Sequence, residues 1–155
     1  MGLDYSISLC IREKDTKVEK WNIDIAYWRK AWSLSSKFQE IAYSPKYEIS
    51  HNSDWLCFCH QSVLPEIAKV IKDNINNLDS DYWTDSVFPA VSTRHNSIIQ
   101  LAQIYDAIHW LNNPEDEDAF ELMWEDWNNK DLSILESYLK DKDKYEIVVE
   151  FDNSY

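Results

Sequence analysis

Apolar and polar residues alternate from the start of the chain: Leu3, Tyr5, Ile7, Leu9 and Ile11 stand between small or polar neighbours. A period of two belongs to a strand with one buried face, so residues 3–11 are predicted as a strand. The charged run 12–20 reads as a solvated loop. Over residues 23–42 the spacing fits a helix, with Ile23, Tyr27, Ala31, Leu34, Phe38 and Ile41 on one stripe. Ile25, Trp28 and Trp32 make a second stripe opposite, and burial of both sides is expected. Residues 47–53 are polar and loop-like, and the apolar run 55–59 reads as a short strand. Ser62 stands where an N-cap belongs, before a helix carrying Val63, Leu64, Ile67, Ala68, Ile71, Ile75 and Leu78 on one broad face.

Residues 79–89 read as loop, and the next helix starts at Ser92 or Asn96 and runs to Asn112. Its predicted inner face is Ile98, Leu101, Ala102, Tyr105, Ile108 and His109. Pro114 suits a first helical position, and the acids behind it suit the dipole of a helix start. Phe120, Met123, Trp124 and Trp127 continue as an apolar stripe, and Leu132, Leu135 and Leu139 mark a last short helix. Residues 145–151 alternate as a closing strand. The sum is an α+β fold in one domain over 1–155: a small antiparallel sheet including the N- and C-terminal strands, packed with about five helices. The simplest sheet pairs the closing strand, with or without residues 55–59, to the first.

Composition removes several function classes. The only glycine is Gly2, which leaves no position for a phosphate-cradling loop, a dinucleotide turn or a nucleophile elbow. Three cysteines, Cys10, Cys57 and Cys59, are too few and too odd for a disulfide framework. The opening residues lack a signal peptide's basic flank and apolar run, and no stretch approaches the length of a bilayer span. Gly2 with Ser6 fits a myristoylation pattern, but no basic patch follows to add a second membrane signal. The expected setting is cytoplasmic, with no membrane partner.

Local chemistry is sparse. His51, Cys57, Cys59 and His60 are suitable zinc ligands. Their spacing instead puts both thiols on one face of a strand and His60 on the other, which fits two buried core thiols. Cys59 and His60, adjacent on a strand, diverge in the same way and make no nucleophile–base pair. His109 reads as a core histidine, and Thr93, Arg94 and His95 as an exposed first turn. No cofactor, metal or catalytic residue is expected.

Charge is lopsided, with 15 basic against 28 acidic residues and a net −13. Residues 1–113 hold 14 acidic and 11 basic residues, whereas residues 114–155 hold 14 and 4, a net −10. Such a chain is a poor direct ligand for nucleic acid. The acids of 114–127 alternate with an aromatic stripe, so Glu115, Asp116, Glu117, Asp118, Glu121, Glu125 and Asp126 are predicted to form a continuous outward negative surface. That surface either keeps the chain soluble or docks a host protein with a basic surface, imitating the charge of DNA.

The opening Met1-Gly2-Leu3-Asp4, the alternating strand after it, and Tyr27-Trp28-Arg29-Lys30-Ala31 resemble a group of small phage and prophage proteins. Those proteins open with MGLDMYL, carry a YWRKAN-like helix motif and end in an aromatic-rich strand, to which residues 145–151 are similar. Tyr5 replaces their usual Met, and Trp32 their Asn. The group brings no activity, only a phage or prophage context. It leaves Arg29 and Lys30 either a shared functional element or an ion-pair anchor. The expected function is therefore a non-enzymatic acidic protein that binds and inhibits a basic, nucleic-acid-binding host or defence protein. The alternatives are an enzyme assembled from distant residues such as Arg29, His60, His95 and a carboxylate, or an accessory protein dimerising through a Trp28/Trp32 face.

Overall fold

The computed structural model describes residues 4–29, 32–53, 55–77, 93–113 and 140–154. Five strands form one antiparallel sheet in the order β2-β1-β5-β4-β3. They are β1 (Asp4–Glu13), β2 (Glu19–Arg29), β3 (Glu48–Ser53), β4 (Leu56–Cys59) and β5 (Tyr145–Ser154). The helices are α1 (Trp32–Ala42), α2 (Val63–Asn74), which runs into a 3-10 turn at Ile75–Asn77, and α3 (Thr93–Asn112). The fold is α+β and its sheet contains both terminal strands. Among the described residues three α-helices are present rather than about five; the two helices predicted within 114–139 lie outside them.

The first correction concerns residues 23–29, which are strand and not helix. Trp21, Ile23 and Ile25 alternate with Asn22 and Asp24, and β-branched and aromatic residues favour the pleated surface. An irregularity near Ile7/Ser8 shifts the β1–β2 register, so Ile25, Ala26 and Trp28 are all buried and the strict period of two breaks. That break let the stretch pass for a two-sided helix. The predicted charged loop 12–20 is likewise shorter, because β1 runs to Glu13 and β2 begins at Glu19. The hairpin is closed by Glu13 N–H to Val18 C=O (3.0 Å) and Lys17 N–H to Glu13 C=O (2.9 Å). Lys17 takes the left-handed conformation the turn needs, φ 61°, in a chain with almost no glycine to spend there. Residues 48–53, read as loop, are the polar edge strand β3; edges are commonly kept polar because an apolar one recruits other chains.

One sheet face and all three helices enclose the core. Tyr5, Ile7, Leu9 and Ile11 face Ile147, Val149 and Phe151 of β5, with Cys57 and Cys59 of β4 continuing the row. Leu34 and Phe38 of α1 and the predicted stripe Val63, Leu64, Ile67, Ala68 and Ile71 of α2 close over it. Ser62 is the N-cap of α2 as predicted, although its side chain makes no capping bond and pairs with His60 instead.

α3 occupies the predicted span but is turned about one residue from the predicted face. Ser97, Gln100, Ile104, Ala107 and Trp110 are buried, while Ile98, Tyr105 and His109 are exposed. Apolar residues lie all round this helix, so periodicity does not fix its inner side. Its polar residues do. Ser97 Oγ accepts the buried indole N–H of Trp28 (3.0 Å). Gln100 Oε1 accepts Tyr27 N–H (3.0 Å), Asn96 Nδ2 donates to Tyr27 C=O (3.0 Å), and Gln100 Nε2 donates to Asn96 Oδ1 (3.1 Å). Two amide side chains thus take the place of a sixth strand at the β2 edge. Gln100→Leu leaves the Tyr27 amide unsatisfied and is expected to cost about 1 kcal/mol, read as a lower urea midpoint at unchanged slope; a shift within error would mean water replaces the side chain.

Candidate functional site

Because β1 and β5 are neighbours, their outward residues meet across the middle of the sheet. β1 contributes Ser8, Cys10 and Arg12, and β5 contributes Glu146, Glu150 and Asp152. β2 adds Glu19, Asn22 and Asp24 from one side, and β4 adds Phe58 from the other. The bonds described on this face run between strands or from the hairpin turn.

At one end Arg12 Nε bonds Glu146 Oε1 at 2.7 Å, and Lys17 Nζ reaches the same oxygen at 3.0 Å. The guanidinium also lies over the Phe58 ring, 5.4 Å from its centroid. Burial pushes the Glu146 carboxyl up, but hydrogen bonds from Lys17 and Arg12 outweigh it and hold the group below its usual range. Arg12 and Lys17 are thereby both paired with Glu146, and Lys20 is paired with Glu13 (3.2 Å).

The middle of the face has no such balance. Glu19 and Glu150 converge on the fully buried Cys10, their ligand atoms and its sulfur all within 4.8 Å of one another. Asn22 Nδ2 donates to Glu150 Oε2 (2.8 Å), and Ser8 Oγ donates to Asp24 Oδ1 (2.6 Å). Burial first, then the charges of Glu19, Asp152 and Asp24, push Glu150 up to about 7. Burial and Asp24 also raise Asp152. Burial and the two carboxylates push the Cys10 thiol up to about 12. A groove of about 400 Å³ opens beside the cluster, lined by Cys10, Arg12, Lys17, Glu19, Phe58 and Ile49 of the β3 edge.

The residues singled out from sequence fall elsewhere. Glu115, Asp116, Glu117, Asp118, Glu121, Glu125 and Asp126 lie outside the described residues, as does Lys30. Tyr27, Trp28 and Arg29 end β2 rather than sitting on a helix. Tyr27 is exposed, whereas Trp28 is buried beneath α3 and Phe38 and so belongs to no outward Trp face.

The four zinc-ligand candidates do not converge. Cys57 and Cys59 point into the core, 3.7 Å apart, and both donate to the Ala42 carbonyl. The hydrogen bond with Cys57, then burial, pushes the Cys59 thiol well up. His51 and His60 are exposed, paired with Glu48 and Ser62. His60 therefore gathers no described carboxylate of the kind a distant-residue active site needs.

Sequence reasoning missed the Cys10–Glu19–Glu150 cluster. Its signal was the polar half of the same alternation that identified the strands: Ser8, Cys10 and Arg12 against Glu146, Glu150 and Asp152. Without strand order those rows could not be joined. No described helix is long and apolar enough to cross a membrane. Comparison with family models, curated proteins and solved structures found no match to this chain.

Proposed function

We propose that this is a non-enzymatic acidic interaction protein that engages a basic, nucleic-acid-binding protein of a bacterial cell and blocks its nucleic-acid surface. One observation carries the reading: Glu19 and Asp24 of β2 and Glu150 and Asp152 of β5 flank β1 on one sheet face, where burial first and then the other three charges push Glu150 up to about 7. Charges that repel one another in the free protein gain most from a cationic partner, whose approach relieves the repulsion. The net −13 of the chain adds long-range steering. Phe58 and the exposed Ile49 beside the groove offer apolar contact next to the charge, as interfaces commonly do. The resemblance to small phage and prophage proteins favours a host or defence protein as the partner.

The test uses purified bacterial DNA-binding proteins and the full chain, with a labelled duplex as competitor. The expected result is displacement of the duplex, with association slowing steeply as salt rises. Asp24→Lys with Asp152→Lys, both at exposed positions, should weaken displacement by on the order of tenfold or more through the association rate. Displacement unchanged by that double reversal would remove the sheet face from the mechanism, and salt-indifferent binding would end the charge-imitation reading.

A further inference from the structure

The cluster at the centre of the outer sheet face combines a thiol with two carboxylates, a donor set with a chemistry of its own. We propose that Cys10, Glu19 and Glu150 form a three-ligand site for a zinc-class divalent cation, with its fourth position open to the adjoining groove. The site shares Glu19 and Glu150 with the docking surface, but it needs no partner protein and is tested without one.

Convergence is the first support. The three ligands come from three neighbouring strands, β2, β1 and β5, and all their donor atoms lie within 4.8 Å of one another. A tetrahedral ion with a metal–sulfur distance of about 2.3 Å and metal–oxygen distances of about 2.1 Å needs donors about 3.5 Å apart. Side-chain rotation on a fixed sheet covers that difference. The Asn22 amide holds one oxygen of Glu150 and leaves the other free to turn inward.

The second support is an excess of negative charge that is only partly compensated, Arg12 alone opposing the rise of the Cys10 thiol. Arg12 and Lys17, which line the adjoining groove, are both paired with Glu146. Glu150 has one amide donor and faces Glu19, Asp24 and Asp152. Two further anions beyond the ligands themselves deepen the attraction for a divalent ion. Donor type then selects among ions: a thiolate disfavours magnesium and calcium, and carboxylates beside it suit zinc or cobalt(II). The third support is the groove of about 400 Å³, which gives the ion an entry path and room for a water as fourth ligand. Binding forms a metal–sulfur bond and releases the Cys10 proton to solvent, with no change of oxidation state.

Cobalt(II) is the probe, titrated into the full chain after chelator treatment and dialysis. One equivalent should produce the near-ultraviolet sulfur-to-cobalt charge-transfer band, and zinc should abolish it by displacement. Cys10→Ser should eliminate the band. Glu19→Gln, at an exposed position that leaves the fold intact, should weaken cobalt affinity by at least tenfold, which keeps the test decisive if Cys10→Ser misfolds. Cys57→Ser with Cys59→Ser should leave the band in place. Three results overturn the proposal: no band at one equivalent, a band that survives Cys10→Ser, or affinity unmoved by Glu19→Gln.

Discussion

Trp28→Ala is expected to remove about 4 kcal/mol of folding stability, the largest loss from any single substitution proposed for this chain. Trp28 is 1% exposed. Its ring lies 5.1 Å from that of Phe38, tilted by 53°, and its N–H is held by Ser97 Oγ at 3.0 Å. One side chain therefore joins β2 to α1 and to α3. Alanine would leave a cavity where three elements meet, and would strand a buried hydroxyl as well. A domain of this size has about 5–15 kcal/mol in hand, so the loss would take from about a quarter to most of its stability. Trp28→Phe keeps most of the volume and loses the hydrogen bond, with an expected cost of about 1–2 kcal/mol. Urea unfolding followed by far-ultraviolet circular dichroism measures both. A loss below about 1 kcal/mol for alanine would mean that the site collapses around the smaller side chain.

Glu150→Gln should stabilise the metal-free protein, and only above mildly acidic pH. In the folded chain Glu150 is pushed up to about 7, against an ordinary value of 4.5. The folded state thus holds this proton more tightly than the unfolded state does. Stability contributed by the group is fully present below about pH 4.5 and is lost as pH rises through about 7. The full shift would correspond to about 3 kcal/mol, but the carboxyl is only half-buried and solvent screening reduces this to about 1–2 kcal/mol. Glutamine keeps an acceptor for the Asn22 amide and removes the charge that Glu19, Asp24 and Asp152 oppose. At pH 8 with chelator present the variant should be more stable than the parent by that amount, and at pH 4.5 the two should coincide. A gain that persists undiminished at pH 4.5 would be a packing effect and would break the electrostatic account. Glu146, held low by Lys17 and Arg12, works in the opposite sense, its contribution disappearing as pH falls below the ordinary carboxylate range. Of these two groups, Glu150 favours the folded state at low pH and Glu146 at higher pH, so their joint contribution is greatest in mildly acidic solution.

How much of this was legible in the chain depended on whether one face of an element was plainly apolar. β4 and α2 each bury one regular row, and β1 and β5 keep their core-facing apolar residues at alternate positions although their middles are buried on both faces, so the alternation or helical stripe could be read directly. β2 could not, because the register irregularity opposite Ile7/Ser8 buries Ile25, Ala26 and Trp28 together and lets the strand merge with the helix after it. α3 has apolar residues on every side, so only knowledge of the β2 edge shows that Asn96, Ser97 and Gln100 point inward. β3 has no apolar row at all. The outer-face cluster was further from view. Cys10 and Glu150 are 140 positions apart, and they meet only because the closing strand lies beside the first.

That strand order has a consequence for how the chain is made. β5 is hydrogen-bonded to β1 on one side and to β4 on the other, so the sheet stays split in two until residue 154 has left the ribosome. At about 5–20 residues per second, β1 waits on the order of ten seconds for its partner. Throughout that interval the nascent β1–β2 hairpin carries an unpaired edge and the apolar row Ile7, Leu9 and Ile11. Chains whose synthesis stops before residue 145 would keep that edge permanently, and should be held by chaperones or degraded rather than accumulate as a smaller folded form.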